Sequence, residues 1–137
     1  MEELHISIPV EPVACPRPRV TRFGTYYPKS YKDFQKVSKE FLSTLQGYYF
    51  TNTEEKVQII YTFIVSRPKY MQAKKYDSGR INHTKRPDLD NFVKAINDSL
   101  QAAGVIKDDS QIYSFSAHKF YAAMGEAPSI NLTIKKG

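Results

Sequence analysis

Four carboxylates fall as two close pairs within 22 residues of an otherwise basic chain, with Asp98 between them: Asp88 and Asp90 in the run Asp88-Leu89-Asp90-Asn91, then Asp108-Asp109 about one helix later. Lys94 follows Asp90 at helical spacing. Gathered like charges repel and raise one another's pKa, so a fold that collects them usually relies on a cation. A divalent metal site is the chemistry this pattern suggests. A hard cation such as Mg²⁺ takes oxygen ligands and keeps several waters, so two or three carboxylates with open positions suit phosphate chemistry. The metal would activate water, and Lys94 could add positive charge at the transition state or leaving oxygen. Plainer readings stand beside this one. An Asp at a helix entrance can simply cap it, worth about 1 kcal/mol. Asp90 and Lys94, four apart, can form a surface pair worth about 0.3–0.5 kcal/mol. An EF-hand is set aside, because Phe92 and Val93 stand where that loop needs an oxygen donor and a glycine.

The elements that must position these groups follow from periodicity. Pro87 disfavours helix at Arg86, so Asp88 sits at the entrance of a helix over about 89–103, with Phe92, Val93, Ile96, Leu100 and Ala103 on one stripe and Gly104 as its stop. Alternation predicts strands over 3–10, 56–66, 111–122 and 129–136. A helix over 31–46 is expected from Phe34, Val37, Phe41, Leu42 and Leu45 on one face, with Ser30 as its cap and Gly47 as its end. The order β-α-β-α-β-β predicts an α+β fold, a single domain over 1–137 with two helices on one mixed sheet. The short link 123–128 permits an antiparallel hairpin between the last two strands. Whether the turn carrying Asp108-Asp109 returns to the start of the second helix depends on where the following strand runs. Tyr113, Phe115 and Tyr121 form an aromatic stripe whose expected place is the core, with a dimer interface as the alternative.

Net charge is +6, from 20 Lys and Arg against 14 Asp and Glu in 137 residues. Hydrophobic residues at 41% exclude global disorder, and no apolar run is long enough to span a bilayer. A start without a secretion pattern and a single cysteine, Cys15, predict a cytoplasmic protein in which Cys15 is a small apolar filler. His5, His83 and His118 lack metal-ligand spacing, so none is assigned to catalysis. Residues 11–29 hold four prolines, which argue against regular structure, and Arg17, Arg19, Arg22 and Lys29 with no acid after Glu11. Residues 67–87 hold seven basic groups against Asp77 alone, among them Lys69, Lys74, Lys75, Arg80, Lys85 and Arg86. Two nearly acid-free basic loops beside a carboxylate cluster point to nucleic acid, the alternative being a solvated charged face. Tyr26, Tyr27, Tyr70 and Tyr76, interleaved with the cations, are candidates for stacking on exposed bases.

The block Arg86-Pro87-Asp88-Leu89-Asp90-Asn91, then Lys94, Asp98, Leu100, Gly104 and Asp108-Asp109-Ser110-Gln111-Ile112, closely resembles the RusA-type Holliday junction resolvases of bacteria and their prophages. The likeness is strong over residues 86–121; Pro16-Arg17-Pro18-Arg19 and Tyr26-Tyr27-Pro28-Lys29 agree less specifically. The chain departs from several relatives at Pro87, where they carry a basic residue, and at Asn97, where they carry an aromatic one. The resemblance implies a Mg²⁺-dependent homodimeric endonuclease, with Mn²⁺ as a substitute, that nicks two opposing strands of a four-way DNA junction in recombination and repair. By position, Asp88, Asp90 and Asp109 would be the metal-binding carboxylates and Lys94 the catalytic lysine. Asp108 is either a further ligand or a neighbour that shapes the turn. Two other functions fit the same residues: a non-catalytic protein that binds branched DNA, and a nuclease acting on flaps or forks.

Overall fold

Leu4, Ile6 and Ile8 are buried while His5 and Ser7 face outward, and this alternation makes β1 (Glu3–Ile8) a one-sided strand. A computed structural model of the chain describes residues 3–45, 50, 52 and 54–137, without the side chain of Arg19. After β1 come a small hairpin, β2 (Arg19–Thr21) and β3 (Gly24–Tyr26), then α1 (Lys29–Ser43), β4 (Val57–Val65), β5 (Ile81–Asn82), α2 (Leu89–Ala102), β6 (Ile112–Tyr121) and β7 (Ser129–Lys136). Single 3-10 turns occupy Lys69–Gln72 and Asp109–Gln111.

The main sheet has the order β1-β7-β4-β6-β5, with β4 and β6 parallel and the other pairs antiparallel. The expected α+β architecture is therefore present. The expected hairpin between the last two strands is not: β4 lies between β6 and β7 and pairs with both. The reason lies in α2, which carries the chain from β4 across to β6 as a parallel crossover and leaves the other side of β4 free for β7.

Both helices pack on one face of the sheet. Tyr31, Phe34 and Leu42 from α1 and Phe92, Ile96 and Leu100 from α2 share one core with Ile6, Ile59, Tyr61, Leu132 and Ile134. Where the helices meet, the buried hydroxyls of Ser38 and Ser99 lie 2.7 Å apart, and Ser38 also donates to the Phe34 carbonyl at 2.7 Å. The buried face of α1 differs from the expected one, since Val37 is half exposed and Ser38 is buried. Ser30 does not cap α1; Pro28 stands at that position and no side chain caps the helix. Gly47 lies outside the described residues. Cys15 is buried within the core, as its sequence context suggested. No helix among the described residues is long and apolar enough to cross a membrane.

Candidate active site

The turn Lys85-Arg86-Pro87 delivers the chain to α2, with a cis bond between Arg86 and Pro87. Asp88 occupies the N-cap position with extended backbone (φ −69°, ψ 148°), yet its carboxylate accepts no capping hydrogen bond. Asp90 stands in the first turn of α2, exposed and without a side-chain hydrogen bond among the described residues. Nor do Asp90 and Lys94 form an ion pair; among the described residues those contacts are His5–Glu3, Arg80–Glu126 and Lys136–Glu55. Neither plainer use of these acids is thus realised. Arg86, Pro87, Asp88 and Asn91 line an open depression at this end of the helix.

Two contacts from distant elements fix this end. The Lys119 ammonium, on β6, donates to the carbonyls of Lys85 at 2.7 Å and Pro87 at 2.6 Å, tying down the turn immediately before Asp88. The backbone N–H of Cys15 donates to the carbonyl of Asn91 at 2.9 Å, binding the proline-rich segment to the first turn of α2. Beside Lys119, His83 is buried and stacked on Tyr121 at 4.3 Å, with no partner for Nδ1 among the described residues. Burial, and then the charge of Lys119, hold its pKa below the ordinary value, so His83 is neutral.

Asp108 and Asp109 sit at the opposite end of α2. Asp108 accepts from the Ser110 N–H at 3.2 Å and forms a capping box with Gln111. Gln111 is the hub of the turn: Oε1 accepts from the N–H groups of Lys107 (2.8 Å) and Asp108 (3.0 Å), while Nε2 donates to the carbonyls of Phe50, Asn52 and Glu55. The Asp109 N–H donates to Oε1 of Gln101 at 2.6 Å. A hydrogen bond to the Asp108 carboxyl, partial burial, and the charges of Asp108 and Asp98 raise Asp109 above the usual carboxylate range. The Ser110 N–H, followed by the bond to Asp109, lowers Asp108. Nearby, the Tyr61 hydroxyl donates to Asn97 at 2.6 Å and that of Tyr31 to Asp98 at 2.9 Å.

Asp90 and Gln101 are eleven residues apart, so at 1.5 Å per residue the two acidic pairs lie about 16 Å apart along the helix. Mg–O bonds are only about 2.1 Å long. Among the described residues no three His, Cys, Asp or Glu side chains come together to hold a metal. One chain brings Asp108 to Asp109 and Asp88 to the same helix end as Asp90, but it does not bring the two pairs together. It is the end of β6, at Lys119, that returns to the start of α2, while the start of β6 stays at the far end.

β6 also has an open edge along most of its length, as does β1 on the far side of the sheet. β5 pairs only with Phe120 and Tyr121, and the His83 N–H donates to the Lys119 carbonyl, so the outer side of 112–118 is unpaired among the described residues. The aromatic stripe expected in the core divides here: Tyr121 is buried, but Tyr113 and Phe115 are 59% and 56% exposed. They lie where the sheet runs out from under α2, with Phe115 edge-on to Tyr61 at 5.8 Å.

Arg17, Arg22, Lys29, Lys69, Lys74, Lys75, Lys85 and Arg86 are exposed. Arg19 opens β2, but its side chain lies outside the described residues. The Arg80 guanidinium is committed to Glu126 at 2.7 Å. Arg67 is drawn inward and donates to the carbonyls of Met71, Asp77, Gly79 and Ala122, which gives the second basic loop a fixed frame. On that frame Tyr70 and Tyr76 meet edge to face, with Lys85 and Lys75 over their rings at 5.9 and 5.3 Å. Tyr26 is exposed, whereas Tyr27 packs against Tyr31.

Sequence reasoning did not single out Lys119 or Gln111 as positioning groups. The spacing Asp108-x-x-Gln111 is a capping-box signal and could have marked the latter. Nothing local marks Lys119, whose partners lie more than thirty residues away.

Residues 9–135 match the family described as Endodeoxyribonuclease RusA. Over 62 residues the chain is 36% identical to the uncharacterized protein YqaN of Bacillus subtilis (strain 168), covering 45% of this chain and 41% of that protein. With nearly its whole length matched, this chain belongs to the RusA family of endodeoxyribonucleases.

Proposed function

We propose that the protein is a homodimeric, Mg²⁺-dependent endodeoxyribonuclease that resolves four-way DNA junctions by paired nicks, each site built from two chains. What carries this reading is the separation of Asp88 and Asp90 from Asp109 by most of the length of α2, with an open β6 edge beside them. Antiparallel pairing of the 112–118 edges about a two-fold axis sets the start of one β6 beside the end of the other. Asp109 of one chain then approaches the partner segment in which Lys119 grips Lys85 and Pro87, immediately ahead of Asp88. Such pairing satisfies the free backbone groups and covers Tyr113 and Phe115.

Asp88 and Asp90 of one chain and Asp109 of the other are the assigned ligands, with Asp108 shaping the turn. The donor set is oxygen alone, two of its carboxylates have no intramolecular partner among the described residues, and a hard divalent cation suits it. Bound there, the cation supplies an activated water and charge neutralisation at the phosphate. Lys94, one turn beyond Asp90 and exposed, is assigned to the charge that develops on the leaving oxygen. The exposed cations of the two basic loops hold the junction arms through phosphates, which positions DNA without reading its sequence.

Mixing Asp90→Asn and Asp109→Asn chains tests the arrangement. Each variant alone is expected to be inactive on a synthetic four-way junction with Mg²⁺. In a mixed dimer with shared sites one site keeps both wild-type acids, so single nicks return. If the site lay within one chain, both sites of the mixed dimer would be damaged and no nicking would appear. Retained nicking by Asp90→Asn alone would refute the metal-site assignment, and binding by wild type without any product would leave a branched-DNA-binding protein.

A further inference from the structure

The proline-rich segment, expected to be an irregular loop, contains the β2–β3 hairpin, and its tip carries the most exposed large apolar side chain among the described residues. Arg19 pairs with Tyr26, Val20 with Thr25 and Thr21 with Gly24, leaving Arg22-Phe23 as the turn. The Thr21 hydroxyl accepts from the Phe23 N–H and donates to the Gly24 carbonyl, both at 3.2 Å, and Gly24 takes the reversal with φ 128°. Phe23 is 87% exposed, the highest value among the exposed large apolar side chains, and the Arg22 guanidinium lies over its ring at 4.9 Å. Val20 on the same short hairpin is 80% exposed, so the turn presents two large apolar side chains to water, and apolar side chains gathered on a surface, unlike a single scattered one, mark an interaction site.

Both feet of the hairpin are fixed. Cys15 is buried and bonded through its N–H to Asn91, next to Asp90, and Tyr27 packs on Tyr31 at the start of α1. From Cys15 to Phe23 is eight residues, so even fully extended the tip stands no more than about 29 Å from Cys15, which is bonded to the first turn of α2. The charge along this segment of sequence has one sign: Arg17, Arg19, Arg22 and Lys29, with no acid between Glu11 and Asp33. That excess fits a polyanion, and a ring with the Arg22 guanidinium over it fits one that offers unstacked bases.

We propose that Phe23 is a stacking wedge, inserting against an unpaired base at the branch point of DNA while Arg22 and its basic neighbours hold the flanking phosphates. This rests on the junction-nuclease reading and deepens it, because the wedge makes an opened branch point, rather than continuous duplex, the structure that the α2 site is offered.

The test uses the full-length protein in chelator, so that no strand is cut, with a four-way junction carrying 2-aminopurine at the branch point. Wild type is expected to raise the fluorescence on binding. Phe23→Ala is expected to abolish the rise and weaken junction binding by roughly 5- to 100-fold, the range of one base–aromatic stack, with linear-duplex affinity changed less than about two-fold. Phe23→Trp should restore the signal and Phe23→Leu should not, which separates stacking from simple apolar contact. Among the described residues the ring meets only the exposed Arg22 guanidinium, so thermal midpoints should stay close to wild type. Unchanged fluorescence and affinity in Phe23→Ala, with wild type still nicking junctions in Mg²⁺, would overturn the wedge and leave the nuclease reading standing. Loss of the dimer in Phe23→Ala with the fluorescence rise retained would also overturn it, assigning the tip to contact between copies. A wild type that neither binds nor nicks the junction would overturn both.

Discussion

The two ends of α2 carry the same pair of acids in opposite conditions. At the N-terminal end the carboxylates of Asp88 and Asp90 are exposed and bonded to nothing among the described residues, while the backbone under them is clamped by Lys119 and Cys15. At the C-terminal end the carboxylates themselves are engaged, Asp108 with Ser110 and the two with each other, and Gln111 binds the turn to three distant carbonyls. An acid engaged in its own fold contributes to stability, whereas an acid held in place but left unbonded is available to something outside. The first end therefore carries the stronger functional signal, and the second needs a ligand or a partner to draw Asp109 out of its pairing.

Substitutions can break this contrast, the largest effect coming first. Asp90→Asn should lower metal-dependent nicking by roughly 10³-fold while thermal stability stays at the wild-type level, because the charge serves the reaction and no internal contact; junction binding in chelator should be unchanged or tighter. Gln111→Ala should do the reverse in kind. It strips several buried backbone groups of their partner, at about 3 kcal/mol, or roughly 10 °C in the midpoint of a thermal melt. Lys119→Met should cost about 2 kcal/mol through the two uncapped carbonyls, and nicking should fall more than junction binding because the turn before Asp88 is loosened. A smaller comparison is sharper: in a denaturant titration Asp108→Ala, which removes a true cap, should lower the midpoint measurably, and Asp88→Ala should leave it near the wild-type value.

The smallest effect expected is on pH dependence. His83 is neutral in the fold with its pKa held below the ordinary 6.5, so below that pH the unfolded chain binds a proton that the native protein refuses. The unfolded state then carries more protons, and stability falls as pH drops through and below the ordinary value. In His83→Phe, stability followed from about pH 7 to pH 5 should decline less steeply; an identical slope would show that His83 is not a buried neutral group.

The main elements were legible because their signals were strong. Leu4-Ile6-Ile8 and Ile130-Leu132-Ile134 alternate without interruption, and Pro87 and Gly104 bracket α2. Adjacency in the sheet was not legible. A seven-residue link between β6 and β7 looks like a hairpin, and only the third dimension shows β4 between them. The β2–β3 hairpin was hidden by prolines that bracket it without entering it, and β5 by its two-residue length. Burial of Tyr113 and Phe115 was misjudged because alternation reports a face of the sheet and cannot report where the covering helix ends. For the candidate site, the spacing singled out Asp88, Asp90, Asp108 and Asp109 as candidate acids, but the distance between the two pairs was not legible. A helix followed by a short turn leaves the chain at the wrong end for convergence, a fact about length and direction that residue types do not record.

The bare edge of β6 has a consequence for quantity. A reaction centre divided between two copies works only at the rate at which copies meet, so below the dimer's dissociation constant, halving the amount of chain should cut nicking about four-fold rather than two-fold. Scarce protein would then leave branched chromosomes almost untouched, and abundance itself would act as the safety catch.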